Sequence, residues 1–186
     1  MPIGPHCGDV PCDFQLPNTL KQNTFTPMTT SDALVIHLAN QLKARHWLLA
    51  SAESCTGGLI AGACTDLSGS SDWFDRGFVT YSNSAKEEML GVDSQLIARH
   101  GAVSEPVVRA MASGALAHSR AQVAVAVTGI AGPTGGSADK PVGTVWFGFA
   151  IPGRLSSERM LFSGDRAGVR QATVLHALQR LVELTA

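Results

Sequence analysis

Apolar positions along this chain switch between a helical period and a strand period. Leu34, Leu38 and Leu42 recur at i, i+4 and i+8 and predict a helix with one apolar face, capped by Thr30-Ser31-Asp32. The apolar run from Trp47 to Ser51 predicts a first strand. Gly57 to Asp66 predicts a helix, closed by Ser68-Gly69-Ser70-Ser71. Gly77 to Tyr81 predicts a second strand, and Ser82-Asn83 a cap for a helix over 84–90. A short helix follows near 94–99, and Ser104-Glu105-Pro106 opens another, since proline is tolerated in a first helical turn. Val123, Val125 and Val127 mark a buried strand over 122–127, followed by a glycine-rich loop over 129–136. Strands over 142–151 and 155–162, joined by Pro152-Gly153, read as a hairpin, and a final helix runs over 166–184.

Helices alternating with strands and ending in a hairpin predict an α/β fold, a three-layer α/β/α sandwich with a mixed sheet. Residues 1–28 hold five of the nine prolines and little hydrophobic period, and read as a flexible N-terminal extension ahead of one domain over 29–186. With 186 residues, 45% apolar, the chain can bury a core, and its many Gly and Ala residues imply closely packed elements. A formal net charge of −1 without a basic run argues against a nucleic-acid partner. The absence of a long apolar stretch argues against a membrane partner. Cys7, Cys12, Cys55 and Cys64 do not form a disulfide framework, so a cytoplasmic protein with reduced thiols is expected. The apolar balance and small charge predict a homo-oligomer.

Candidate chemistry concentrates in Ala52-Glu53-Ser54-Cys55-Thr56-Gly57-Gly58, where a strand, a tight turn and a helix start coincide. Free N–H groups and the helix dipole converge at such a junction, which suits an anion site or an activated nucleophile. Ser54 or Thr56 would otherwise be a helix cap, and Glu53 would cap a helix or orient Lys86. Lys86, shortly after Tyr81, is either a solvated helix residue or a base whose pKa burial lowers enough to deprotonate a serine. The 129–136 loop is a ligand cradle or a structural turn. Arg166 binds phosphate or forms a surface ion pair with Asp165 or a neighbour. The histidines show no metal-ligand spacing, and Cys7 and Cys12 with His6 form only a sparse ligand set, so no metal is expected.

Six motifs then stand in order: Ala52 to Gly58, Gly77 to Asn83, His100-Gly101-Ala102-Val103-Ser104, Thr128 to Pro133, Lys140 to Val145, and Phe162 to Arg166. Together they resemble the CinA C-terminal domain family over about residues 30–184. The resemblance implies a three-layer α/β domain and, in stand-alone members, nicotinamide-nucleotide amidase activity. Nicotinamide mononucleotide would be hydrolysed to nicotinate mononucleotide and ammonia, in pyridine-nucleotide recycling and without a cofactor. It also implies Ser54 as nucleophile, Lys86 as base and Tyr81 as an assisting residue. The N-terminal domain of longer members is not expected here, and 1–28 matches nothing in the family pattern.

Beside these roles, the backbone around Cys55, Thr56, Gly57 and Gly58 is expected to hold an oxyanion. Thr128, Gly129, Gly132, Thr144 and Arg166 are expected to hold ribose and phosphate of a small nucleotide substrate. Two rival readings are a catalytically silent nucleotide-binding or competence-associated regulatory module, and an enzyme that uses Cys55 as its nucleophile.

Overall fold

A computed structural model describes residues 30–186. Helix α1 spans Thr30–Ala44, β1 Leu49–Glu53, α2 Leu59–Thr65, β2 Phe74–Val79, α3 Asn83–Leu90 and α4 Ser94–His100. Then come α5 Glu105–Ala117, β3 Val123–Gly129, β4 Thr144–Ile151, β5 Arg154–Leu161 and α6 Arg166–Leu184. The strands form one five-stranded sheet in the order β2-β1-β3-β4-β5. β2, β1 and β3 run parallel, and β4 and β5 add antiparallel to β3. The mixed sheet and the hairpin at Pro152-Gly153 are therefore as expected, and α6 occupies the expected residues.

Side chains alternate across the sheet, and the two faces differ in size. Leu49, Val123, Val125, Val127, Phe147 and Phe149 point to one side, where α1, α2 and α6 cover them with Leu38, Leu42, Ile60, Leu178 and Leu181. Ala50, Ala52, Ala124, Ala126 and Ala150 point to the other, against Val107, Val108, Met111 and Ala112 of α5. The alanine face lets α5 approach closely. A Cβ on Gly148 would lie 2.6 Å from the Val108 carbonyl oxygen, and one on Gly114 only 2.1 Å from that of Leu90. Close packing of small residues thus has a definite place, the α3–α5 side of the sheet.

Three local expectations are corrected. β1 runs Leu49–Glu53 rather than 47–51, because Ser51 and Glu53 find hydrogen-bond partners inside the fold. β2 starts at Phe74, and Tyr81 lies past its end, because Leu49 pairs with Phe74 in the parallel register. α2 starts at Leu59, two residues late, because Gly57 and Gly58 take φ of 60° and 98°, outside the right-handed helix. The extension 1–28, with Cys7 and Cys12, lies outside the described residues. Among the described residues no helix is long and apolar enough to cross a membrane.

Gly114→Ala forces a methyl into the Leu90 carbonyl and should destabilise the domain by about 1–3 kcal/mol. A lowered midpoint in urea with an unchanged m-value is the expected result.

Candidate active site

The carboxyl ends of β2, β1 and β3 lie side by side: the chain steps from β1 outward to β2, then crosses back past β1 to β3, so the order reverses direction beside β1. A crevice opens at such a point in an open parallel sheet. Ser54 follows β1, Thr80 and Tyr81 follow β2, and Thr128 and Gly129 end β3. A cavity of about 240 Å³ gathers Ser54, Cys55, Tyr81, Lys86, Thr128, Gly129 and Arg166. Asn83, Ala102, Val103 and Ala131 complete its wall.

Glu53 builds the turn that carries Ser54. Its side chain points to the α2 side and is 1% exposed. It accepts hydrogen bonds from the hydroxyls of Ser51 (3.1 Å) and Thr56 (2.7 Å). It accepts three more from the N–H groups of Gly58 (3.0 Å), Ile60 (3.0 Å) and Ala61 (2.8 Å). The carboxylate therefore caps α2 from a distance, satisfying N–H groups that the first turn leaves open. Neither Ser54 nor Thr56 is the cap, contrary to expectation: Gly58 holds that position without a side-chain bond. Of the two roles open to Glu53, capping is the one observed.

Lys86 is buried at 1% exposure, one turn into α3, whose start is capped by the Ser82 hydroxyl as expected. Its Nζ donates to Ser54 Oγ at 3.1 Å, to the Thr80 carbonyl at 2.8 Å and to the Ser82 carbonyl at 3.4 Å. None of these partners carries a charge, so burial lowers the lysine pKa from its ordinary value, against a smaller opposing effect of the Cys55 thiol. The solvated-lysine reading does not apply. Ser54 is held by its own N–H to the Val127 carbonyl at 3.0 Å, so the hydroxyl faces the amine from a fixed backbone.

Cys55 lines the same cavity, but burial pushes its thiol up to about 11, aided by the Glu53 charge and opposed by the N–H groups of Cys55 and Thr56. A thiol so placed stays protonated at neutral pH, which disfavours it as the nucleophile. Tyr81 is 61% exposed at the mouth, where its hydroxyl accepts from Arg166 Nη2 at 2.9 Å. Arg166 Nη1 donates to the Gly132 carbonyl at 2.9 Å, and Asp165 instead caps α6 through the Gly168 N–H. The expected alternative, an Arg166–Asp165 ion pair, does not form.

Other expected site residues are engaged in contacts of the fold. The Thr56 hydroxyl is fully buried on Glu53, and the N–H groups of Gly57 and Gly58 go to the Ser54 carbonyl and Glu53. Among the described residues those of Cys55 and Thr56 are directed to no oxygen, and they act on the Cys55 sulfur. The Thr128 hydroxyl donates to the Ala102 carbonyl at 2.9 Å, tying β3 to the loop before α5. The Thr144 carbonyl accepts from the Ile130 N–H at 2.9 Å and braces the glycine loop. Arg170 was not anticipated: its Nη2 reaches the Thr56 carbonyl at 2.8 Å. Its position, one helical turn after Arg166 on the same face, was the available signal. Among the described residues no group of three or more His, Cys, Asp or Glu side chains could hold a metal ion.

Fold and site together define a three-layer α/β domain with a serine and a buried lysine paired at the carboxyl ends of its parallel strands. The chain belongs to the family described as the CinA C-terminal domain, whose profile matches residues 31–185. It is 58% identical over 147 residues to the nicotinamide-nucleotide amidohydrolase PncC of Enterobacter agglomerans, covering 78% of this chain and 90% of that protein. With the protein of that name from Escherichia coli strain K12 it shares 54% identity over 157 residues, covering 83% of this chain and 95% of the other. A crystal structure of the competence/damage inducible protein CihA from Agrobacterium tumefaciens matches with a TM-score of 0.83 at 45% identity, covering 88% of this chain and 100% of that one.

Two outcomes follow from the buried groups. Folding lowers the Lys86 pKa, so between that value and 10.5 the unfolded chain binds more protons and stability rises with pH. Relative to Lys86→Met, the wild type should therefore gain stability from pH 7 to 10, by at most about 1.4 kcal/mol per pH unit, in urea titrations. Glu53→Gln turns an amide N–H₂ toward groups that are all donors. It should cost about 3 kcal/mol, read as a fall in thermal midpoint.

Proposed function

We propose that this protein is an amidohydrolase that deamidates nicotinamide mononucleotide to nicotinate mononucleotide and ammonia in pyridine-nucleotide recycling. The observation that carries the chemistry is the 3.1 Å contact between Ser54 Oγ and the Nζ of a buried lysine that, among the described residues, has no carboxylate partner. The substrate assignment rests on the named relatives, which match over nearly their whole length.

Neutral Lys86 takes the Ser54 proton as Oγ attacks the carboxamide carbon, and Tyr81 at the mouth positions the substrate or relays the proton. The carbonyl oxygen becomes an oxyanion. The Cys55 and Thr56 N–H groups are the donors that remain for it, since those of Gly57 and Gly58 are engaged. Such a donor contributes about 3–4 kcal/mol to transition-state stabilisation. The C–N bond breaks, ammonia leaves with the proton from Lys86, and water hydrolyses the acyl-serine by the reverse route. Gly129 and Arg166 face ribose and phosphate, the Gly132 carbonyl holds Arg166 in place, and Thr128 and Thr144 brace the strands.

Ammonia release from nicotinamide mononucleotide tests this. Ser54→Ala and Lys86→Ala should each lower kcat by about 10³-fold or more, while Cys55→Ser keeps turnover. The kcat/KM of the wild type should rise with pH through the lowered Lys86 pKa, because the base must be neutral. Near-full rate in Ser54→Ala would sink the serine mechanism. Absence of ammonia release from the wild type would favour the silent binding module.

A further inference from the structure

The carbonyls of Thr80 and Ser82 meet Lys86 Nζ at 2.8 Å and 3.4 Å, and these oxygens only accept. They occupy two N–H groups whether the amine is neutral or charged. Its third position faces Ser54 Oγ at 3.1 Å, as a lone pair in the neutral amine and as an N–H in the ammonium. Protonation therefore changes the charge and leaves the hydrogen bonds filled. Among the described residues no carboxylate stands by to balance that charge. Glu53 is turned to the α2 side, and Asp93 caps α4. On α5, Glu105 and Arg109 both meet the Ser157 hydroxyl, and on β2, Asp75 pairs with Arg76. Arg99 and His100 of α4 are exposed. Glu87 and Glu88 follow Lys86 on α3, at spacings that do not face it. The other ionisable groups on the cavity wall are Cys55, Tyr81 and Arg166, none of them a carboxylate.

We propose that Lys86, charged at the end of turnover, captures the carboxylate that the reaction makes, so that the site is restrained by its own product as pH falls. The inference rests on the amidase reading. A neutral carboxamide and one water enter a site whose amine is neutral. The C–N bond breaks, a C–O bond to the water oxygen forms, and ammonia leaves uncharged. The carboxylic acid freed from Ser54 then passes its proton to Lys86 Nζ, the base beside it. Carboxylate, ammonia and one proton on the amine balance the carboxamide and the water. The product complex is thus an ion pair, made where the protein itself supplies no anion. The carboxylate oxygens sit on the carbon that Oγ has just released, within reach of Nζ and of the Cys55 and Thr56 N–H groups. A buried ion pair with further donors is favoured where a lone buried charge is not. The uncharged carboxamide gains nothing of the kind. Carboxylate binding also keeps Lys86 protonated. Its affinity is therefore full below the Lys86 pKa of the free protein, which burial lowers, and falls by up to tenfold per pH unit above it.

Calorimetric titration of Ser54→Ala with nicotinate mononucleotide and nicotinamide mononucleotide, from about pH 6 to 10, tests this without turnover. The two ligands differ only at the reacting group, so titration of their common phosphate cancels in the ratio of Kd values. At the acid end the carboxylate should bind roughly 10- to 100-fold tighter than the carboxamide, the range of a hydrogen bond between charged groups. That preference should shrink as pH rises through the Lys86 pKa, and it should disappear when Lys86→Met is added. In the wild type, nicotinate mononucleotide should compete with substrate in the ammonia assay, more strongly at low pH than at high pH. A preference that is flat in pH, one that survives Lys86→Met, or no binding of nicotinate mononucleotide overturns the inference. If the double variant does not fold, the pH profile of Ser54→Ala decides alone. A wild type that releases no ammonia sinks the amidase reading, while the same titration still shows whether Lys86 holds a carboxylate.

Discussion

The carboxylate of Glu53 is the point from which the working end of this domain is organised. It sits at the last residue of a strand buried on both faces and gathers two hydroxyls and three backbone N–H groups into one cluster. A buried carboxylate is tolerated only where donors surround it, and here those donors come from the segment whose shape matters. By engaging the N–H groups of Gly58, Ile60 and Ala61 it fixes where α2 begins. The residues between, Ser54 to Gly57, become a turn of set geometry. Ser54 is thereby presented to Lys86 by backbone constraints, not by a cap of its own.

Lys86 depends on that same arrangement from the other side of the sheet. It reaches the crevice from α3, in the layer packed against the alanine face, and its amine is met by the carbonyls of Thr80 and Ser82. The close approach of α5, which Ala124, Ala126 and Gly148 permit, keeps that layer tight against the sheet. The serine belongs to one layer's chain connection and the lysine to the other's, so their contact at the end of the sheet records how both layers are seated. A site assembled in this way excludes water around the amine, and that exclusion shifts its pKa.

Much of this was legible in the residues, for reasons that can be named. α6 is legible at its observed bounds because its apolar stripe is long. The hairpin was found because Pro152-Gly153 interrupts two apolar runs. β2 was placed too late because Phe74-Asp75-Arg76 alternates with charge, and only pairing with β1 makes it a strand. Ser54 and Thr56 look like caps locally. Two glycines of positive φ displace the helix start and hand the capping to a carboxylate several residues earlier. Lys86 and Tyr81 could be suspected from their spacing, but burial, which turns a surface lysine into a low-pKa amine, is a property of the packed layers. Arg170 escapes a sequence reading because its contact, the Thr56 carbonyl, lies 114 residues away, and no sequence window reports that.

The alternation of β1 carries a consequence for how this domain can vary. Leu49, Ser51 and Glu53 share one face and Ala50 and Ala52 the other, so parity assigns the carboxylate to the α2 side. Removing or adding a single residue between Leu49 and Glu53 would invert that assignment. It would press a carboxylate into a seam sized for methyl groups and leave α2 without its anchor. Loops elsewhere in the chain can lengthen freely by comparison. The strand behaves as a ruler with only even gradations, and its length is fixed by the side on which its last residue must emerge.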